Sequence, residues 1–104
     1  MIHPKISIVM PTYNRAGSFL NNAISSVLSQ SFSDFELILI DDASTDNTYD
    51  LVHSFNDSRI KYFKAEKNFG EYWSTNYGVN LAQSEYLTWV HSDDILPQES
   101  LKQR

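Results

Sequence analysis

Two clusters of acids, each at the exit of an apolar run, constrain this chain more than anything else in it. The first run is Phe35-Glu36-Leu37-Ile38-Leu39-Ile40, leading into Asp41-Asp42; the second is Tyr86-Leu87-Thr88-Trp89-Val90, leading into His91-Ser92-Asp93-Asp94. Short apolar runs of this kind suit strands of a parallel sheet. Such a sheet gathers its strand C-termini along one edge, and that edge is where folds of this type bind ligands. Two carboxylate pairs on one edge repel each other unless something positive sits between them. A divalent cation with a phosphorylated ligand meets that need, because hard oxygen ligands suit magnesium or manganese.

The chain has room for one domain, at 104 residues. Its formal net charge of -5 argues against nonspecific binding to nucleic acid or to an acidic membrane surface. It has no cysteine, which excludes a disulfide framework and a thiolate zinc site and fits a reducing compartment. Met1 to Lys5 lacks the apolar stretch of a signal peptide, and the longest apolar run, Leu37 to Ile40, is far too short to span a bilayer. The chain therefore reads as soluble and cytoplasmic, with the inner face of the membrane open to a longer protein.

Strand and helix patterns alternate along the chain. Lys5 to Pro11 reads as a buried strand, and Ser18 to Gln30 as a helix with Phe19, Leu20, Ala23, Ile24, Val27 and Leu28 on one stripe. Phe35 to Ile40 is the second strand, and Ser44, Thr45 and Asp46 are candidate N-caps for a short helix that buries Leu51, Val52 and Phe55. Arg59 to Ala65 is a more polar third strand, whose Lys61 and Lys64 suit a sheet edge. Glu71 to Gln83 reads as a helix with Trp73, Tyr77, Leu81 and Tyr72 inward, and Gly78 marks close packing against a strand. Tyr86 to Val90 is the fourth strand, and Pro97 is placed to open another helix. The expected architecture is α/β, Rossmann-like, with a mainly parallel sheet of about four strands, flanking helices and right-handed crossovers.

Each motif has a plain reading beside a chemical one. Pro11-Thr12-Tyr13-Asn14-Arg15 follows the first strand without the glycines of a dinucleotide or P-loop cradle. Pro11 fixes the strand exit and Tyr13 offers a ring to a flat base, but a simple turn with Asn14 as its turn residue accounts for the same residues. Asp41 is expected to face the cleft and accept hydrogen bonds from a ribose or base, while Asp42 and Asp46 favour the next helix. Asp93 and Asp94 can serve two neighbours at a strand exit, one of them a metal, or can simply cap the helix at Pro97. His91 fits a metal ligand, a base or a strand-end residue. Trp73, Tyr77 and Trp89 read as core residues.

Taken together these segments resemble the inverting family 2 glycosyltransferases, which have the GT-A fold. Ile6 to Arg15 is similar to that family's opening strand and nucleotide loop, Leu39 to Asp46 to its second-strand motif, and Ala82 to Leu87 with Ser92-Asp93-Asp94 to the approach to its Asp-x-Asp region. The resemblance covers the chain from Lys5 to about Leu101. It implies a nucleotide-diphospho-sugar donor, a UDP-sugar first, and Mg2+ or Mn2+. Pro11, Thr12, Tyr13 and Asp41 would line the nucleoside pocket, Asp93 would lie near ribose and diphosphate, and Asp94 would coordinate the cation. His91 stands where the family often has aspartate, and Thr75-Asn76 where it often has Arg-Asn, so Asn76 is kept as the residue of that pair able to reach the nucleotide.

The family's general base, an Asp or Glu that deprotonates the acceptor hydroxyl, comes from beyond the Asp-x-Asp strand. It is expected beyond Arg104, along with the half that binds a saccharide or lipid-linked acceptor. Residues 1–104 are thus expected to be the donor-binding part of a larger catalytic domain, cut at its C-terminus and inactive alone, with an open sheet edge through which two copies can pair. The competing reading is a noncatalytic nucleotide-binding or assembly module. A nucleotidyltransferase would need a glycine-rich basic loop after the first strand, and a receiver domain would carry its acid pair there.

Overall fold

A computed structural model describes residues 6–14, 18–30, 34–82, 84 and 86–89. In chain order the elements are β1 (Ile6–Thr12), α1 (Ser18–Leu28), β2 (Phe35–Asp41), α2 (Thr48–His53), β3 (Ile60–Lys64), α3 (Glu71–Leu81) and β4 (Tyr86–Trp89). The strands form one sheet in the order β3-β2-β1-β4, and every neighbouring pair is parallel. The alternation of strand and helix patterns dictates this, because a parallel neighbour needs a crossover and each helix supplies one. The helix expected at Pro97 lies outside the described residues.

The strands alternate their side chains between two apolar layers. Ile8, Met10, Leu37 and Leu39 pack with Leu20, Ala23, Ile24 and Val27 of α1 and Val52 of α2. Val9, Ile38 and Ile40 point the other way, where Trp73, Leu81 and Ala82 cover them. Each aliphatic side chain buried this way contributes about 1.5–3 kcal/mol, and β2, interior to the sheet beside β1, is buried along its whole length. Glu36 is buried in that strand because Ser7 Oγ donates to its Oε2 at 2.6 Å.

α3 departs from the expected pattern. The ridge that meets the sheet is Ser74 and Gly78: a Cβ on Gly78 would stand 2.4 Å from Val9 Cγ1 and 3.3 Å from Ile40 Cγ1. The close packing expected at Gly78 is present. Tyr72 and Tyr77, expected inward, are exposed at 83% and 40%. A helix turns about 100° per residue, so seating the small Ser74–Gly78 ridge on the strands swings Tyr77 to the flank, while Trp73 stays half-buried against Val9, Ile38 and Ile40 as expected. There Phe69, Trp73 and Tyr77 stack in series, with ring centroids 4.5 and 5.1 Å apart.

β3 is an edge strand among the described residues, and Lys61 and Lys64 are exposed on it, as its polarity implied. The capping of α2 differs from expectation. Its N-cap is Asn47, with no side-chain cap bond; Asp46 Oδ1 instead accepts from Thr48 N at 3.1 Å, while Ser44 and Thr45 turn to another loop. Asn56, at φ 49°, supplies the left-handed residue after α2.

Candidate nucleotide-binding edge

The chain runs from β1 outward through β2 to β3, then returns to β4 on the other side of β1. The strand order reverses between β1 and β4, and the crevice at the C-terminal ends of such a pair is where open α/β sheets take ligands. Thr12 sits opposite Asp41 at that edge in the β1–β2 register. Pro11 and Thr12 complete β1 and are buried, and Tyr13 follows them, 46% exposed. Among the described residues the Thr12 hydroxyl, like that of Ser74, is buried with no hydrogen-bond partner. An unpaired buried hydroxyl costs about 1–3 kcal/mol unless a water or ligand atom completes it.

Asp41 and Asp42 go to opposite sides of the sheet because side chains alternate along a strand. Asp41 is 0% exposed. Its Oδ1 accepts from Ser44 N at 2.9 Å, and its Oδ2 accepts from the Tyr62 hydroxyl. Both of its oxygens are thus engaged by protein donors, where a cleft-facing carboxylate was expected. Asp42, also buried, accepts from Phe69 N and Gly70 N at 2.7 Å each, one amide per oxygen, and so pins the loop that opens α3. Asp42 therefore anchors α3, not the helix that follows it in sequence. Both carboxylates are satisfied by protein donors, so this pair needs no cation to relieve its repulsion.

Two loops are stitched together at this edge. Asn14 takes φ 50°, a left-handed conformation that asparagine tolerates better than most residues. That turn aims its backbone N–H at Ser44 Oγ, 2.9 Å away, and its Oδ1 at Thr45 N, 2.8 Å away. Ala43 is also left-handed, at φ 62°. Asp42 N donates to Thr12 O and Ala65 N to Asp41 O, each at 2.8 Å, extending strand pairing into the loop base.

Asn14, Ser44 and Tyr62 carry this network, and none was singled out as a site residue from sequence. The signal for Asn14 was its turn propensity after Pro11-Thr12; Tyr62 had none, since its partner is 21 residues away. Asn76 is exposed on α3, about 200° around the helix from the buried Ser74, and takes no part in the network among the described residues. His91, Asp93 and Asp94 lie outside the described residues. Among those that are described, no group of three or more His, Asp or Glu side chains could hold a metal.

Fold and edge define an all-parallel α/β domain whose strand order reverses between β1 and β4. The model of glycosyl transferase family 2 matches residues 7–103, and the chain belongs to that family. An uncharacterized glycosyltransferase of Haemophilus influenzae is 41% identical over 97% of this chain and 41% of its own length. The UDP-Glc:alpha-D-GlcNAc-diphosphoundecaprenol beta-1,3-glucosyltransferase WfgD of Escherichia coli is 40% identical over 86% of this chain and 35% of its own. The crystal structure of S. aureus TarS 1-349 in complex with UDP superposes with a TM-score of 0.88 at 32% identity, covering 95% of this chain and 30% of that one. The fold is thus the Rossmann-like GT-A arrangement. The chain spans well under half the length of each of these relatives.

Proposed function

We propose that this chain is the donor-binding half of a glycosyltransferase that moves a sugar from a nucleoside-diphosphate donor to an acceptor hydroxyl with inversion. The single observation that carries this is the exposed Tyr13 ring, held by a stitched loop beside a Thr12 hydroxyl that has no partner among the described residues, at the β1–β4 switch. Family membership supports it, as do UDP in the TarS complex and the UDP-Glc donor in the name of WfgD. A UDP-sugar is accordingly the donor class, and a lipid-linked saccharide is the acceptor class that WfgD's name suggests.

Pro11 shapes the strand exit, Tyr13 stacks on the base, and the Thr12 hydroxyl offers its hydrogen bond at the base of the pocket. Asp41 acts from behind the pocket, through Ser44, in place of direct contact. Asn76 and Asp93 are assigned to the ribose and diphosphate side, and Asp94 to the cation. The cation role of Asp94 follows the family resemblance; Asp41 and Asp42 are already engaged by amide and hydroxyl donors. When bound, the ion offsets negative charge on the departing nucleoside diphosphate. The base that deprotonates the acceptor, and the acceptor site, belong to the part of the relatives' length outside this span. A domain acting on lipid-linked saccharides at the cytoplasmic face of a membrane fits this reading.

Calorimetric titration of UDP with Mn2+ tests it. Tyr13→Ala should weaken binding roughly tenfold, since stacking on an aromatic ring contributes about 1–3 kcal/mol. Asp94→Ala should remove the dependence on Mn2+. Equal affinity in wild type and both variants overturns the residue assignments, and no binding of UDP, GDP or dTDP overturns the donor-half reading.

A further inference from the structure

We infer that Tyr62, on the edge strand and outside the crevice, is a positioning residue for nucleotide binding. It acts through a relay from its hydroxyl to Asp41, Ser44 and Asn14 and so to Tyr13. This rests on the donor-binding reading above and adds a specificity for which residue sets the loop that carries the stacking ring.

The relay is continuous. The Tyr62 hydroxyl donates to Asp41 Oδ2, and Asp41 Oδ1 accepts from Ser44 N at 2.9 Å. Ser44 Oγ then accepts from Asn14 N at 2.9 Å, and Asn14 Oδ1 accepts from Thr45 N at 2.8 Å. Tyr13 is the residue before Asn14. Each link crosses between elements: β3 to β2, the β2 strand end to its loop, and that loop to the one after β1.

The ring of Tyr62 is itself held in place. It pairs with Leu39 in the sheet and packs onto the α1–α2 layer. Its edge meets Tyr49 at 5.5 Å and His53 at 5.3 Å, and those two rings stack on each other at 4.0 Å. The hydroxyl is therefore aimed, with little freedom to swing away. Burial and the Asp41 carboxylate both raise the Tyr62 pKa, so it stays a protonated donor through the working pH range. A carboxylate with no exposure depends on its donors. Without the Tyr62 hydroxyl, Asp41 Oδ2 lacks that partner, and the loop that Oδ1 holds loses its fixed reference.

Tyr62→Phe deletes the hydroxyl and keeps the ring, which separates positioning from packing. Two readouts decide. In the protein without nucleotide, amide exchange by NMR should quicken at least tenfold at Asn14, Ser44 and Thr45 relative to Val9 and Leu39. In calorimetry with Mn2+, the Kd for UDP should rise about five- to tenfold.

Exchange that changes equally at loop and core amides overturns the relay. Faster loop exchange with unchanged UDP affinity overturns the positioning role. If wild type itself binds no UDP, the donor-binding reading fails and this role with it, an outcome distinct from a wild type that binds UDP no better than the variant. Should Tyr62→Phe not fold, Ser44→Ala cuts the relay one link on, at the acceptor for Asn14 N, and is read by the same two measurements.

Discussion

Asp41 and Asp42 are sequence neighbours with unlike work: one ties Tyr62 of β3 to the loop after β2 on the α1–α2 side, the other pins the start of α3. Asp42→Asn keeps one acceptor but turns an amide N–H2 toward a backbone N–H. It should cost about 1–3 kcal/mol, the usual consequence of leaving a buried donor unpaired. A urea midpoint equal to wild type contradicts that reading. Tyr62 gives a prediction of the opposite pH sense from a carboxylate. Its phenol is held above the ordinary 10.0 by burial first and by Asp41 second, so the folded chain keeps a proton that the unfolded chain sheds. Its contribution is whole below about pH 10 and falls as pH climbs toward the folded value. Urea midpoints at about pH 9 and about pH 11 should therefore diverge less in Tyr62→Phe than in wild type.

At the scale of elements, Gly78 shows how one missing side chain sets where a helix lies. Alanine is the better helix former by about 1 kcal/mol. Yet its Cβ would sit 2.4 Å from Val9 Cγ1, and overpacking a filled layer costs about 1–3 kcal/mol. Gly78→Ala should accordingly destabilise, by about 1 kcal/mol net, as read from the urea midpoint; a stabilised variant would mean that α3 rides higher on the sheet. The turn into β3 is closed by Arg59, whose guanidinium donates to both Asp57 oxygens, at 3.1 Å from Nε and 2.9 Å from Nη2. The hydrogen bond from Arg59 holds the Asp57 carboxyl below its ordinary 3.8. That contribution is present above the ordinary value and is lost as pH falls through the folded one. Because the pair is partly exposed, its weight is under about 1 kcal/mol. Asp57→Asn should flatten the acid limb of the stability curve slightly, and a limb unchanged in slope removes the pair from the account.

Over the whole molecule, the two layers are unequal. α1 and α2 close over a broad cluster, whereas α3 covers Val9, Ile38 and Ile40 with partly buried Trp73, Leu81 and Ala82. Local opening follows buried apolar area. Amides of α3 should exchange with deuterium sooner than those of α1, and the reverse order would show that the Phe69–Trp73–Tyr77 stack contributes more than its exposure suggests. The parallel order β3-β2-β1-β4 also explains why residues from the first third and the middle of the chain meet at one edge.

Much of this was readable in the residues alone. The alternation of apolar runs specified strands and helices in order, the stripe from Leu20 to Val27 specified the buried face of α1, and Lys61 with Lys64 marked β3 as an edge. Those are local signals, carried by residues two to four apart. The site was legible only as a region. Pro11 to Asn14 and Asp41 to Ser44 stood out, but the side to which Asp41 turns did not, and neither did the flank position of Tyr77. Tertiary structure decided those, because they depend on register and helix rotation: Asn14 finds Ser44 across 30 residues and Asp42 finds Gly70 across 28. A hydrogen bond over such a separation exists only once the sheet has brought the two loops to the same edge, and no run of neighbouring residues encodes it.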